Sequence, residues 1–347
     1  MNQPAELASP IADLLARAGI DAAIEAITPC ARGGNNRIYR VDTAAGVFAA
    51  KQYFRHEGDT RDRLAAEYAF LDYANHAAPG MTPRPFACNS ESGLALYEFV
   101  EGRPLRPDEI GPTQVGAAIQ LFRALNAPAA RAGAQLPIAS EACFSLAEHV
   151  ALIRRRIDRL LEVAPHSDID AEALDFLHRL DAFWRDCAER IRVEAVQANL
   201  DFEAGLPAEQ RCISPSDFGF HNALATEGGS IRFLDFEYAG WDDPAKTAGD
   251  FFAQLALPVP PEFFANFVAE ITRDFPGAPQ LSFRAALLRP AYQVKWCCIA
   301  LNVFLPVNLA RRRFANPGLD ETALKRAQLE KGKQLFQSIQ VNSHGLH

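Results

Sequence analysis

The segment SDFGFHNALATEGGSIRFLDFE, residues 216–237, holds three side chains whose types and spacing suit phosphoryl transfer. Asp217 and Asn222 stand five positions apart on a stretch that reads as a loop between strands, and Asp235 ends a strand after a tight turn at Glu227-Gly228-Gly229. Phosphoryl transfer needs a carboxylate to orient or deprotonate the attacking hydroxyl. It also needs an amide and a second carboxylate to hold magnesium against a triphosphate. A hairpin brings the loop before it and the end of its second strand together, so the three groups can share one cleft despite their separation.

Such a cleft needs a second wall. Ile38-Tyr39-Arg40-Val41 and Val47-Phe48-Ala49-Ala50-Lys51 flank the turn Thr43-Ala44-Ala45-Gly46 and predict a hairpin whose second strand carries Lys51. A cation on so apolar a strand calls for a partner, which phosphate oxygens and a carboxylate on a following helix would supply. The alternative is a lysine that snorkels to the surface. Ahead of the hairpin, Gly33 and Gly34 lie at a strand-turn-strand junction where backbone N–H groups can approach phosphate, although the Walker pattern G-x-x-x-x-G-K-[ST] is absent. A helix is predicted from about Thr60 to Ala77, then strands near Pro85–Cys88 and Leu94–Phe99. Ser9-Pro10 with Ile11, Leu14, Leu15 and Ala18 predicts a capped amphipathic helix over 9–19, ending at Gly19.

After Val100-Glu101-Gly102-Arg103-Pro104 the pattern becomes helical, with three long helical stretches between 113 and 200. Short strands return at Arg211–Ser214, Ala223–Ala225 and Ile231–Asp235, and helices fill the remainder, including 281–304 with Pro290 as a kink.

The pattern D-x-x-x-x-N followed by L-D-F-E resembles the catalytic and metal-binding loops of the aminoglycoside phosphotransferase and choline kinase family. The resemblance runs in order from residue 33 to 250 and implies an α+β, bilobal, protein-kinase-like fold. Its small antiparallel-sheet lobe with one key helix would span 1–100, a hinge 101–105 and a larger, mostly helical lobe 106–347. It implies ATP and Mg2+ as cofactors and transfer of the γ-phosphoryl group to a hydroxyl of a small metabolite, such as a sugar, amino alcohol or glycoside.

Residue by residue, the resemblance makes Asp217 the catalytic base and Asn222 and Asp235 the magnesium ligands, with Glu237 as an assistant. Gly33, Gly34 and Asn36 fall in the nucleotide-binding loop, Lys51 meets the phosphates, and Glu67 is its ion-pair partner. In Leu96-Tyr97-Glu98-Phe99-Val100, the backbone around Glu98 and Val100 would read the adenine edge. His221, Trp241 and Asp242 are candidates for contact with the acceptor, and acids there would suit a cationic or polyhydroxyl molecule. The chain departs from the family pattern in two places. Pro215-Ser216-Asp217 replaces His-Gly-Asp, and Lys246-Thr247-Ala248-Gly249-Asp250 stands where relatives carry Asp-Leu-Ala, so Asp250 takes a capping or loop-bracing role. Those departures also suit a second reading, a nucleotide-binding pseudokinase that regulates a partner.

The remaining composition excludes other classes. A net charge of −8 and a pI near 5.6 give no general attraction to nucleic acid or anionic membrane. The basic runs Arg154-Arg155-Arg156 and Arg311-Arg312-Arg313 sit in helical stretches and read as solvated faces. Seven cysteines without a C-x-x-C pair point to free thiols in a reducing cytoplasm rather than to zinc or disulfides. The start MNQPAELASPIADLL lacks a signal-peptide pattern, and the apolar stretch Trp296–Val307 is too short to span a membrane.

Overall fold

The computed structural model describes residues 3–30, 36–55 and 61–344. Helix α1 (Gln3–Arg17) precedes a five-stranded antiparallel sheet made of β1 (Ile24–Pro29), β2 (Arg37–Thr43), β3 (Gly46–Gln52), β4 (Pro85–Asn89) and β5 (Leu94–Glu98), in the order β1-β2-β3-β5-β4. Helix α2 (Arg63–Ala77) is inserted between β3 and β4.

The two faces of this sheet do different work because successive strand residues point to opposite sides. Phe48 and Ala50 of β3 and Leu94 and Leu96 of β5 face Leu7, Ile11, Leu14 and Leu15 of α1 in one apolar cluster. Lys51 and Tyr53, two residues apart, are therefore on the other side, with Ala95 and Tyr97, facing α2. Alternation thus splits the apolar run before Lys51: Phe48 and Ala50 face α1, whereas Ala49 packs on the opposite side with Lys51. The predicted 9–19 helix is also longer than expected. It starts at Gln3, and Pro10 lies inside it.

Asp62 caps α2 by accepting from Ala65 N at 2.9 Å. The predicted start at Thr60 lies outside the described residues.

Beyond β5, the two-residue strand β6 (Arg103–Pro104) crosses to the larger, helical part of the chain. That part holds α3 (Pro112–Leu125), the short α4 (Pro128–Ala132), α5 (Leu146–Leu161) and the 30-residue α6 (Asp168–Gln197). Four short strands follow: β7 (Cys212–Ser214), β8 (Ala223–Ala225), β9 (Ile231–Phe233) and β10 (Gly240–Asp242). The last helices are α7 (Pro244–Ala253), α8 (Phe264–Thr272), α9 (Ala278–Ala300), α10 (Pro306–Ala315) and α11 (Glu321–His344). Helix α9 runs through Pro290 and is buried along most of its length, packed by α5, α6, α7, α8 and α11.

β6 pairs with β8, and β8 with β9, so the crossover is hydrogen-bonded to the hairpin that follows Asp217 and Asn222. Gly102 permits that approach: a Cβ there would lie 2.8 Å from the Ala225 carbonyl oxygen. β7 pairs with β10, which fixes the strand before Asp217 against the stretch that follows Glu237. No single helix among the described residues is long and apolar enough to cross a membrane. None of the seven cysteines forms a disulfide.

Candidate active site

The site is assembled around Lys51. Its Nζ lies 2.6 Å from Glu67 Oε2 and 2.6 Å from Asp235 Oδ1, so one ammonium joins β3, α2 and the end of the β8–β9 hairpin. Glu67 is 3% exposed and fully occupied. Its Oε2 also accepts from the Tyr53 hydroxyl at 2.7 Å, and its Oε1 accepts from Phe236 N at 3.1 Å. Tyr53 and Tyr97 share a further hydrogen bond at 2.7 Å. These tyrosines brace the ion pair and were not singled out from sequence, although Tyr53 is two positions beyond Lys51 and so must share its face.

Burial works against a charged Lys51, but Asp235, Glu67 and Glu237 outweigh it and hold the ammonium well above the ordinary lysine range. Burial pushes the Asp235 carboxyl up to about 6, with Lys51 opposing and Glu237 and Glu67 adding to the rise. Asp235 has φ 66°, and Ser216, just before Asp217, has φ 63°. Two non-glycine residues in the left-handed region within one site indicate backbone strain retained by the surrounding packing. Phe236 stacks on Phe70 of α2 at 4.7 Å between ring centroids, which anchors the residue beside Asp235.

The loop after β7 presents Asp217. Its carboxylate receives Asn222 Nδ2 at 3.3 Å and lies 3.3 Å from His221 Nε2, while Asn222 Nδ2 also donates to the Asp217 carbonyl at 2.9 Å. Burial disfavours the charged Asp217, but the His221 and Asn222 hydrogen bonds and the Lys295 charge prevail and hold it below the usual carboxylate range. An ionised carboxylate positioned this way can accept a hydrogen bond from an incoming hydroxyl. With its nitrogen committed to Asp217, Asn222 has its amide oxygen available as a ligand. The backbone bond from Leu234 N to the Asn222 carbonyl, 2.7 Å, ties the Asn222 and Asp235 segments together.

The donors on hand suit Mg2+. One carboxylate and one amide oxygen are hard ligands, too few for a closed cage, as expected for a cation that also takes phosphate oxygens and water. Among the described residues, no cluster of three or more His, Cys, Asp or Glu side chains forms a self-sufficient metal site.

Several predicted residues sit elsewhere than expected. Glu237 is fully buried, with Oε2 accepting from Asn36 Nδ2 at 2.9 Å and Oε1 paired to Arg63 at 3.2 Å, so its carboxylate braces the fold rather than assisting a metal. Asn36 correspondingly links the segment before β2 to Glu237 and accepts from Phe54 N at 3.1 Å. Asp242 is also fully buried, 2.6 Å from Lys246 Nζ, and does not line an acceptor pocket. Burial raises its pKa to about 6 despite Lys246. Trp241 is half-buried, and its backbone holds the neighbouring loop through bonds to Pro137 and Ala139 at 2.9 and 3.0 Å.

At the crossover, Glu98 N donates to the Arg84 carbonyl at 2.8 Å and its carboxylate takes Arg232 at 2.7 Å. Val100 is half-buried at the crossover that follows. Gly33 and Gly34 lie outside the described residues.

The two departures from the family pattern acquire physical roles. In place of a histidine, Ser214 Oγ accepts from Ser216 N at 3.0 Å and from Thr247 Oγ1 at 2.8 Å, binding the Pro215 turn to α7. Asp250 accepts from Lys295 Nζ at 2.8 Å and from Trp296 Nε1 at 2.9 Å, and the Trp296 ring meets His221 edge-on at 6.5 Å. Asp250 is therefore a brace beneath the Asp217 loop, the loop-bracing alternative of the two.

The sequence profile of the phosphotransferase enzyme family matches residues 26–282. No curated protein sequence matches the chain. Among solved structures, an ethanolamine kinase from Plasmodium vivax superposes with a TM-score of 0.56 at 14% identity, covering 90% of this chain and 83% of its own. The choline kinase LicA from Streptococcus pneumoniae gives 0.56 at 13%, covering 96% and 99%. The spectinomycin phosphotransferase APH(9)-Ia, in complex with ADP and spectinomycin, gives 0.52 at 11%, covering 93% and 98%. At these identities the likeness is one of fold, that of the protein-kinase-like phosphotransferases. The profile match spans most of the chain, which belongs to the phosphotransferase enzyme family and is a small-molecule kinase.

Proposed function

We propose that this enzyme transfers the γ-phosphoryl group of ATP to a hydroxyl of a small metabolite, assisted by magnesium, with Asp217 as the base. The observation that carries the reading is the meeting of Lys51, Glu67 and Asp235 at 2.6 Å beside the Asp217–Asn222 loop. These are the parts that phosphoryl transfer requires, each on a different element of the chain.

Lys51 binds the phosphates, oriented by Glu67. Backbone groups at Glu98 and Val100 receive the adenine edge, and Gly33, Gly34 and Asn36 belong to the phosphate-binding loop. Asn222 and Asp235 would hold Mg2+, which neutralises charge developing on the phosphoryl oxygens. Asp217 accepts the hydrogen bond of the acceptor hydroxyl, aligns its oxygen with the phosphorus, and takes the proton as the new P–O bond forms and the bond from the γ-phosphorus to the β,γ-bridging oxygen breaks, releasing ADP. His221 steadies the Asp217 carboxylate from one side. The nucleotide lobe is assigned to 1–100, the hinge to 101–105 and the catalytic lobe to 106–347. Seven cysteines, none of them in a disulfide, suit a reducing compartment such as the cytoplasm.

The test is incubation of the purified chain with ATP, Mg2+ and a metabolite pool, with products followed by mass. Appearance of a species heavier by one phosphoryl group together with ADP supports the assignment. Nucleotide binding without any phosphorylated product would leave a pseudokinase in its place.

A further inference from the structure

The sheet meets the helical lobe a second time, away from the crossover through β6. In the pairing of β3 with β5, Phe48 lies opposite Glu98 beside the crossover, and Gln52 lies opposite Leu94 at the far end, next to Lys51. The two ends of that pairing are about 13 Å apart at roughly 3.3 Å per residue. Arg37 of β2 pairs with Gln52, and Phe54 follows two residues later, so both belong to the far end.

Helix α10 docks there. Arg37 Nε donates to the Phe314 carbonyl at 2.9 Å, and the Arg37 guanidinium lies 4.1 Å from the centre of the Phe314 ring. The Phe314 ring meets that of Phe54 edge-on at 5.3 Å between centroids, and the Arg311 guanidinium lies 5.6 Å from the Phe54 ring. Arg311 Nη1 also donates to the Tyr238 hydroxyl at 3.3 Å. The adjacent Glu237 accepts from Asn36 at 2.9 Å, and Asn36 accepts from Phe54 N at 3.1 Å, which closes the circuit between β2, the end of β3, the stretch after Asp235 and α10.

Arg37 and Phe314 are 277 residues apart, so their contact exists only in this arrangement of the two lobes. A hinge by itself leaves the opposite end of a lobe free to swing, and the spacing of Lys51 from Asp235 would swing with it. Here the sheet is tied at both ends, by the crossover at one and by α10 at the other, with the 2.6 Å contact of Lys51 and Asp235 between them. A site that is competent in one arrangement only binds more weakly in proportion to the molecules that leave it.

We infer that Arg37 and Phe314 are positioning residues for the nucleotide: their contact holds the sheet on the helical lobe and so keeps Lys51 on Asp235 and Asn36 on Glu237 before ATP arrives. This rests on the reading of the chain as an ATP-dependent phosphotransferase, in which the two residues act through Asn36 and Lys51 rather than on ATP itself.

The test titrates a fluorescent ATP analogue, with Mg2+, into the full chain and its variants, beside thermal unfolding without nucleotide. Arg37→Ala and Phe314→Ala should each weaken the analogue at least about 5-fold, by releasing the far end of the sheet. Phe314→Tyr keeps the ring and should bind as the wild type does. Val307→Ala, at an exposed position of the same helix, should also leave binding unchanged. Because the two alanine substitutions break one contact, the double variant should resemble the weaker single variant and not multiply the two losses.

Both side chains are half-buried, and if Phe314→Ala does not fold, Arg37→Ala decides the matter. Wild-type affinity in Arg37→Ala, an equal loss in Val307→Ala or Phe314→Tyr, or losses that multiply in the double variant would overturn the inference. Failure of the analogue to bind the folded wild type would instead defeat the phosphotransferase reading beneath it.

Discussion

Lys51 and Asp235, 184 residues apart in sequence, meet at 2.6 Å, and this one contact joins the sheet to the hairpin that follows the Asp217 loop. Because Lys51 also holds Glu67 at 2.6 Å, its removal leaves the buried Glu67 carboxylate, 3% exposed, without its counter-ion and beside the part-exposed Asp235. Lys51→Met should destabilise the fold by about 3–5 kcal/mol through the uncompensated buried charge. Denaturant titration checks it. Lys51→Met combined with Glu67→Gln should recover part of the loss, because the orphaned charge is then absent, and equal losses in the single and double variants would contradict that cause.

Asp235 titrates near pH 6 because burial and the neighbouring Glu237 and Glu67 outweigh Lys51. It is protonated below that value and ionised above it. If ionised Asp235 is needed for the metal and nucleotide, kcat/KM for ATP should fall as pH drops through about 6. The effect on stability has the opposite sign. A carboxyl whose folded pKa is raised favours the folded state most at low pH, and that contribution disappears as pH rises through about 6. Asp235→Asn should therefore flatten this part of the stability profile while lowering activity at every pH.

Asp250 holds Lys295 and Trp296 under the catalytic loop. Asp250→Ala leaves Lys295 buried beside Lys246 and should cost about 3 kcal/mol. Since Trp296 meets His221 and His221 meets Asp217, kcat should fall more than the affinity for ATP changes. Steady-state kinetics beside nucleotide titration separate the two. A loss confined to ATP affinity would place Asp250 outside the support of the Asp217 loop.

The strand and motif order was legible because it depends on local pattern. The Thr43–Gly46 turn, the apolar run ending at Lys51 and the paired Asp217/Asn222 and Asp235 motif announce themselves within short windows. Partners distant in sequence did not. Asp242 and Glu237 read as available acids because nothing local shows that Lys246, one helical turn on, turns inward to one, or that Asn36 and Arg63 close on the other. Asp250 could be narrowed only to two roles, since its partners Lys295 and Trp296 arrive 45 and 46 residues later on α9. The start of α1 was misplaced because Ser9-Pro10 resembles a cap, yet Leu7 already packs with Ile11 and Leu14 against the sheet. The basic run at 311–313 looked like a solvated face, and only tertiary packing buries Arg311 beside the Tyr238 hydroxyl, 3.3 Å away.

In the proposed mechanism Asp217 drives phosphoryl transfer in a cleft whose nucleotide wall is independent of it. The most direct measurement compares wild type and Asp217→Asn for ATP-dependent phosphorylation of the acceptor, by product mass, alongside nucleotide affinity. The substitution should lower kcat by about 10²–10⁴-fold, with ATP binding changed little. Undiminished phosphorylation by Asp217→Asn would contradict the account.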